Sequence, residues 1–286
     1  MQQHNSILNF NKSRQALIVC YTSAMSDFYK PNRNPGWNYG GSNWKLSRSK
    51  IDLFTECPRC FYLDNKLGTA RPPGFPFNLN SAVDALLKKE FDGHRSKQTP
   101  HPLCVQYKVD AVPFDHPEMD FWRDSLKGGV QYMHPETGML VRGGVDDIWK
   151  GKDGKLIVVD YKATSKDKKI TALDEAWHDG YKHQMEVYQW LLRKNGFEVS
   201  DKGYFVYCNA SRDEKAFDGI LKFEITLVPH VGDTSWIEPT LKKIKVCLDS
   251  EDIPPASSGC DYCRYREAAG KGLQNHMKKT GGKNLK

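Results

Sequence analysis

The chain has 286 residues, 39% of them hydrophobic and 12% aromatic, enough to bury one large core or two modest ones. Its formal net charge of +7 gives a mild attraction for polyanions that suits DNA, RNA or an anionic membrane surface equally. No apolar run approaches the length of a bilayer crossing, and residues 16–21 are too short and poorly flanked for a signal peptide, so an intracellular protein with no membrane partner is expected.

Residues 1–45 form an N-terminal extension ending in a stretch, 31–41, whose Pro, Asn and Gly content discourages regular structure. Ser47 then caps a helix that runs into Cys57-Pro58-Arg59-Cys60. Residues 69–79 are rich in Pro and Gly, and a helix over 81–91 follows, with Val83, Leu86, Leu87 and Phe91 on one stripe facing a sheet. Residues 100–138 read as irregular, with short strands at 105–109 and 129–133. Two strand-like runs, 139–150 and 155–159, flank the turn signal Asp153-Gly154 and predict a hairpin.

A basic loop, Ser165-Lys166-Asp167-Lys168-Lys169, leads to a long helix over 173–195 stopped by Gly196. Strands are expected at 203–208 and 221–228, and a helix at 236–248 whose Ile237, Leu241, Ile244 and Leu248 keep helical spacing. Beyond Gly270, Lys271, Lys278, Lys279, Lys283 and Lys286 mark residues 271–286 as a basic, flexible tail. The order gives an α/β fold, one central mixed sheet flanked by helices, with a single domain over 46–270.

The chemistry concentrates at Asp160-Tyr161-Lys162. Alternation along a strand puts Leu156, Val158, Asp160 and Lys162 on one face, and Ile157, Val159 and Tyr161 on the other. The hairpin brings Asp146 of Gly143-Gly144-Val145-Asp146-Asp147-Ile148 towards Asp160. Hard cations such as Mg2+ or Mn2+ prefer oxygen ligands, which Asp146, Asp160 and the Tyr161 backbone carbonyl could supply, with Lys162 orienting or deprotonating water. Solvated charges at a hairpin end are the plain alternative.

Four of the eight cysteines form two Cys-x-x-Cys pairs, Cys57 with Cys60 and Cys260 with Cys263, each spaced to chelate a metal. Without a secretory signal, metal ligation is favoured over disulfides. Cys20, Cys104, Cys208 and Cys247 have no such neighbours and read as buried small hydrophobes. Spacing alone leaves Zn2+ and an iron–sulfur cluster open.

Together, Gly143 to Ile148, Asp160-Tyr161-Lys162 and the later Gln184-Met185-Glu186-Val187-Tyr188 resemble, in order, the motifs of the PD-(D/E)XK nuclease superfamily and its RecB-type branch. The resemblance implies a restriction-endonuclease-like core and a metal-dependent DNase acting on single- or double-stranded DNA. DNA repair, recombination or mobile-element and CRISPR-related processing would be its setting, and a helicase its possible partner. It assigns Asp146, Asp160 and Lys162 to catalysis, with Gln184 and Tyr188 steadying the active-site loop or a DNA phosphate. Where the branch usually has a histidine ligand on an earlier helix, this chain has Asp84. The cysteine pairs are similar to the clasp of AddB-type and CRISPR-adaptation nucleases, which tips the choice towards a [4Fe–4S] cluster joining the N- and C-terminal regions. Those proteins usually carry a third C-terminal cysteine, which this chain lacks. The competing expectation is a nucleic-acid-binding module that keeps fold and clasp but cuts nothing.

Overall fold

The computed structural model describes residues 33–74 and 77–281, with Ala176 by its backbone alone. Cys20, most of the N-terminal extension, and Lys283 and Lys286 of the tail lie outside the described residues. In chain order, β1 (Leu46–Ser47) leads into α1 (Arg48–Glu56), whose cap is the Ser47 hydroxyl accepting from the Lys50 N–H, and α2 (Pro58–Asn65) begins on Cys57 with Pro58 in its first turn. Next come α3 (Asn78–Arg95), α4 (Pro102–Gln106), β2 (Ala111–Pro113), α5 (Met119–Arg123), β3 (Val130–His134) and β4 (Met139–Gly143). The second half holds β5 (Asp147–Gly151), β6 (Leu156–Thr164), α6 (Asp179–Lys194), β7 (Lys202–Ala210), β8 (Phe223–Val231), α7 (Ile237–Asp249) and α8 (Asp261–Lys279).

Two mixed sheets result. The larger has the order β2-β5-β6-β7-β8, antiparallel except where β6 runs parallel to β7; the smaller is β1-β4-β3, with β1 parallel to β4. The expected central mixed sheet flanked by helices is present, with the small sheet added beside it. The β5–β6 hairpin turns at Gly154, whose φ of 85° suits glycine, and the Gly151 N–H closes it on the Lys155 carbonyl.

Strand alternation divides the core as the sequence predicts. Leu156 and Val158 pack with Met185, Tyr188 and Leu191 of α6, whereas Ile157, Val159 and Tyr161 pack with Leu87 and Phe91 of α3. Asp160 and Lys162 thus leave β6 on the α6 side. Helix α6 also touches β3 and β4, so it is the layer between the two sheets.

Several expectations need correction. The run 139–150 is not one strand: it breaks after Gly143, and its halves join different sheets. A Cβ on Gly143 would meet the Tyr188 ring at 2.6 Å and one on Gly144 the Ser125 Cα at 2.8 Å, so the glycines permit close packing at the bend. Residues 105–109 are not a strand, because α4 takes Val105 and Gln106 after the His101 ring caps it on the Leu103 N–H. Leu86 does not face the sheet; it is exposed, while Leu87 and Phe91 are buried. Helix α6 starts at Asp179 rather than 173, and Gly196 stops it with φ of 87°. Gly270 does not end the C-terminal helix, since α8 continues to Lys279.

Candidate active site and cysteine clasp

Two neighbouring aspartates on an extended segment must point opposite ways, and Asp146 and Asp147 do so with different surroundings. Asp147 is fully buried against α3 and α5: it accepts from Arg95, from Arg123 at 3.0 Å, from the Tyr161 hydroxyl at 2.8 Å and from the Trp149 indole at 3.3 Å. Asp92 bridges the same two arginines. This buried charge is compensated on every side, so it is a brace. Sequence reasoning passed over it, although a second aspartate aimed into a core signals that distant cations must meet it.

Asp146 stays half-buried on the other side. Its carbonyl accepts from Arg123 Nε at 3.0 Å and its Oδ2 from the Tyr161 N–H at 2.9 Å, which fixes it beside the end of β6. Asp160, one residue before that amide on β6, is fully buried. The Lys162 ammonium stands against its Oδ2, while its Oδ1 has no hydrogen-bond partner among the described residues. Burial, opposed by Lys162 and reinforced by Asp146, pushes the Asp160 carboxyl up to about 7.

Lys162 is itself held. Its Nζ donates to Gln184 Oε1 at 3.3 Å and lies 4.5 Å from the centre of the Tyr181 ring, and Gln184 Nε2 donates to the Tyr188 hydroxyl at 3.1 Å. The i, i+4 pair Gln184 and Tyr188 therefore projects together from α6 as the spacing predicts. Tyr188 is buried, with its ring packed under Gly143. Burial raises its hydroxyl pKa above the usual range.

Asp84 comes from α3, on the sheet face opposite Asp160. Its Oδ2 accepts from Lys88 at 2.8 Å, and the same ammonium lies 3.9 Å from Asp146 Oδ1, so Lys88 stands between the two carboxylates. Asp84, Tyr161 and Lys162 line one small cavity of about 100 Å3 with Tyr181. Sequence reasoning missed Lys88, and also Arg48, which pairs with Asp52 and favours the charged form of Asp160. The basic loop is partly spent: Lys169 pairs with Glu224, Asp167 with Arg212, and Lys166 lies over the Trp177 ring.

A hard divalent ion fits this donor set in part. Asp160 offers a buried Oδ1 with no donor on it among the described residues and an Oδ2 met only by the Lys162 ammonium, a condition that a cation relieves, and Lys88 already places positive charge at Asp84 and Asp146. Among the described residues, however, the three carboxylates do not close into a cluster as the thiols do.

The thiols need no such help. Cys57 is the N-cap of α2 and Cys260 the N-cap of α8, which puts Cys60 and Cys263 one turn into each helix. Two helix N-termini therefore converge on four sulfurs, a field that favours thiolates. All four Sγ atoms lie within 4.8 Å of one another, with separations of 3.8 Å for Cys57 to Cys263 and 3.6 Å from Cys60 to both Cys260 and Cys263. The cluster joins the N- and C-terminal regions and could hold a metal ion. Burial pushes the Cys57 thiol up, but backbone N–H groups of Cys60 and Ser257 pull it down to about 6, whereas burial holds the Cys60 and Cys263 thiols above their ordinary range. Arg71, unnoticed in the sequence, donates to Cys260 Sγ at 3.3 Å and lies over Tyr262. Cys104 and Cys208 are buried in the α3-side core as expected, while Cys247 is only half-buried.

No helix among the described residues is long and apolar enough to cross a membrane. No curated protein matches the chain. One solved structure, "Crystal structure of SSO0001", aligns over 73% of this chain and 79% of its own at 14% identity, with a TM-score of 0.34. The model of the PD-(D/E)XK nuclease superfamily matches residues 45–268, a span that takes in the aspartates, Lys162, Gln184, Tyr188 and all four clasp cysteines. The chain belongs to the PD-(D/E)XK nuclease superfamily.

Proposed function

We propose that the protein is a divalent-metal-dependent deoxyribonuclease of the RecB-like type, hydrolysing phosphodiester bonds at Asp146, Asp160 and Lys162. The observation that carries this is Asp160, a fully buried carboxylate whose Oδ1 has no partner among the described residues and whose Oδ2 meets the tethered Lys162 ammonium. Such an arrangement costs stability unless it serves chemistry. When bound, Mg2+ or Mn2+ supplies Lewis-acid polarisation of a phosphoryl oxygen and acidifies water.

The chain's own residues do the rest. Asp146 and Asp160 would hold the ion, with the Tyr161 carbonyl and Asp84 as further oxygen donors. Gln184 keeps Lys162 from swinging away, and Lys162, an ammonium here, orients the attacking water by donating to it rather than taking its proton. Tyr188 anchors Gln184 and packs the Gly143 bend that presents Asp146. Arg48 favours ionised Asp160 without touching substrate.

We read the clasp as a single structural Zn2+ in place of the iron–sulfur cluster favoured by the resemblance. Zn–S bonds of about 2.3 Å in a tetrahedron put sulfurs about 3.8 Å apart; three Sγ separations here are 3.6 to 3.8 Å and all four sulfurs lie within 4.8 Å of one another. A cubane binds each thiolate at a different iron and needs a wider set. Metal analysis tests this: one zinc per chain supports it, while four irons with acid-labile sulfide and a brown absorption band overturn it.

One observation favours the competing non-catalytic binding module: Lys88 sits in the gap where the ligands should meet. Labelled single- and double-stranded DNA, with RNA alongside, decides between them. Mg2+-dependent degradation by the wild type, absent in Asp160→Ala, supports the nuclease; binding without degradation supports the module.

A further inference from the structure

The segment that braces Asp146 does a second job. Arg123 holds the Asp146 carbonyl and Ser125 packs on Gly144, and two residues further on Lys127 forms part of a cavity of about 580 Å3. Arg33, Lys45, Lys50, Lys127 and Arg142 line it, together with Trp37 and several serines, and no carboxylate side chain does. Two of these cations are engaged elsewhere: Arg33 pairs with Asp64 at 2.7 Å, and Arg142, 8% exposed, donates to the Leu126 and Ser125 carbonyls.

Lys45, Lys50 and Lys127 have no carboxylate at ion-pair distance among the described residues. Lys50 donates only to the Lys45 carbonyl, at 2.9 Å. Burial, joined by Arg33 and Arg142 and opposed by Asp64, pushes the Lys50 ammonium down to about 8. An anion would relieve that repulsion. The first turn of α1, which has no acidic residue, opens on the same cavity through Ser47 and Ser49. Trp37 is 52% exposed there, an aromatic face to which a base can stack.

We propose that this cavity is a phosphate-binding subsite that holds the backbone of the nucleic-acid substrate beside the cleavage centre, with Lys45, Lys50 and Lys127 as its cations and Trp37 as a platform for one unpaired base. It rests on the nuclease reading for its substrate class. The exposed tryptophan, and the segment 123–127 that both braces Asp146 and lines the cavity, select a polynucleotide over a small free anion.

The test measures binding of a labelled single strand of about 15 nucleotides in EDTA, across a series of salt concentrations. Lys45→Glu/Lys127→Glu is expected to weaken binding roughly 10- to 100-fold at low salt and to flatten the plot of log K against log salt by about 1.5. Lys155→Glu, the same reversal on the exposed β5–β6 turn, serves as the control. Trp37→Ala should lose about tenfold for oligothymidine and nothing for an abasic strand of equal length. Unfolding temperatures confirm that each variant folds. A double variant that behaves like Lys155→Glu overturns the subsite. Wild-type protein assayed in Mg2+ separates the two claims: salt-dependent binding through these lysines without cleavage sinks the nuclease and keeps the subsite, while cleavage with an unchanged slope sinks the subsite alone.

Discussion

The thiols of the clasp and the carboxylates of the active site solve the same problem in opposite ways. Cys57, Cys60, Cys260 and Cys263 hang from two helix N-termini, so backbone placement alone brings their sulfurs within 4.8 Å. Asp84, Asp146 and Asp160 come from a helix, a bend and a central strand, and cationic side chains, Lys88 and Lys162, stand among them. A closed set of four soft ligands leaves nothing for a substrate to bind, which suits a role in folding. An open set of hard oxygens, partly neutralised by ammonium groups, leaves coordination positions for water and phosphate, which suits chemistry.

The largest expected effect separates the two directly. Lys162→Ala and Asp160→Ala should each lower Mg2+-dependent DNA cleavage by about 10^3-fold or more, on the order of 4 kcal/mol of barrier. Lys162→Ala should still fold, because Asp160 can take up a proton once its cation is gone; full activity in that variant removes Lys162 from the mechanism. At the clasp the expected loss is of stability. Cys60→Ser should release the metal and cost roughly 3–5 kcal/mol, a fall of about 10 °C in Tm. EDTA should abolish cleavage reversibly while leaving Tm nearly unchanged, since the buried thiolate site gives up its ion slowly. A Tm that falls with EDTA as far as with Cys60→Ser would erase the distinction.

A smaller effect follows from protonation. Asp160 titrates at about 7 in the fold against an ordinary 3.8, so between those values the folded chain binds more protons than the unfolded one. The metal-free protein should therefore lose stability as pH rises from about 4 to 7, by up to ~4 kcal/mol, and Asp160→Asn should abolish that loss. Because the ion must displace this proton, the Mg2+ concentration for half-maximal cleavage should rise about tenfold per pH unit below 7 and level off above it. A flat metal requirement from pH 5.5 to 8 contradicts the assignment.

What could be read from the sequence was local. Strand alternation put Asp160 with Lys162, helical spacing put Gln184 with Tyr188, and Cys-x-x-Cys put each pair of thiols on one turn; all depend on neighbours within a few residues. The bend at Gly143 escaped because glycine's use there is to admit the Tyr188 ring and Ser125, neither of which is nearby in sequence. Lys88, Arg95 and Arg123 escaped for the same reason: their partners Asp146 and Asp147 lie on another element, and nothing in a lysine or arginine marks which distant carboxylate it will meet. At 105–109 the failure was of another kind, since a short alternation of Val105, Tyr107 and Val109 suits a strand, yet so short a run fits the end of a helix equally well.

Lys88 gives the smallest effect and the finest test of the contrast between closed and open sites. Its ammonium lies 3.9 Å from Asp146 Oδ1 while bonded to Asp84, so a divalent ion entering there is repelled by it and must also share two carboxylates with it. Two like charges at that distance in a partly wet site interact by about 1 to 4 kcal/mol before screening, and the exposed side of the pair brings this to the low end. Lys88→Met, which keeps the side chain's length and apolar stem, should therefore lower the Mg2+ concentration for half-maximal cleavage by about 3- to 10-fold. Asp84→Asn should raise it by a similar factor if Asp84 joins the ion once Lys88 yields. A metal requirement that Lys88→Met leaves untouched would mean that the ammonium lies outside the coordination space, and that Asp84 serves only to hold Lys88.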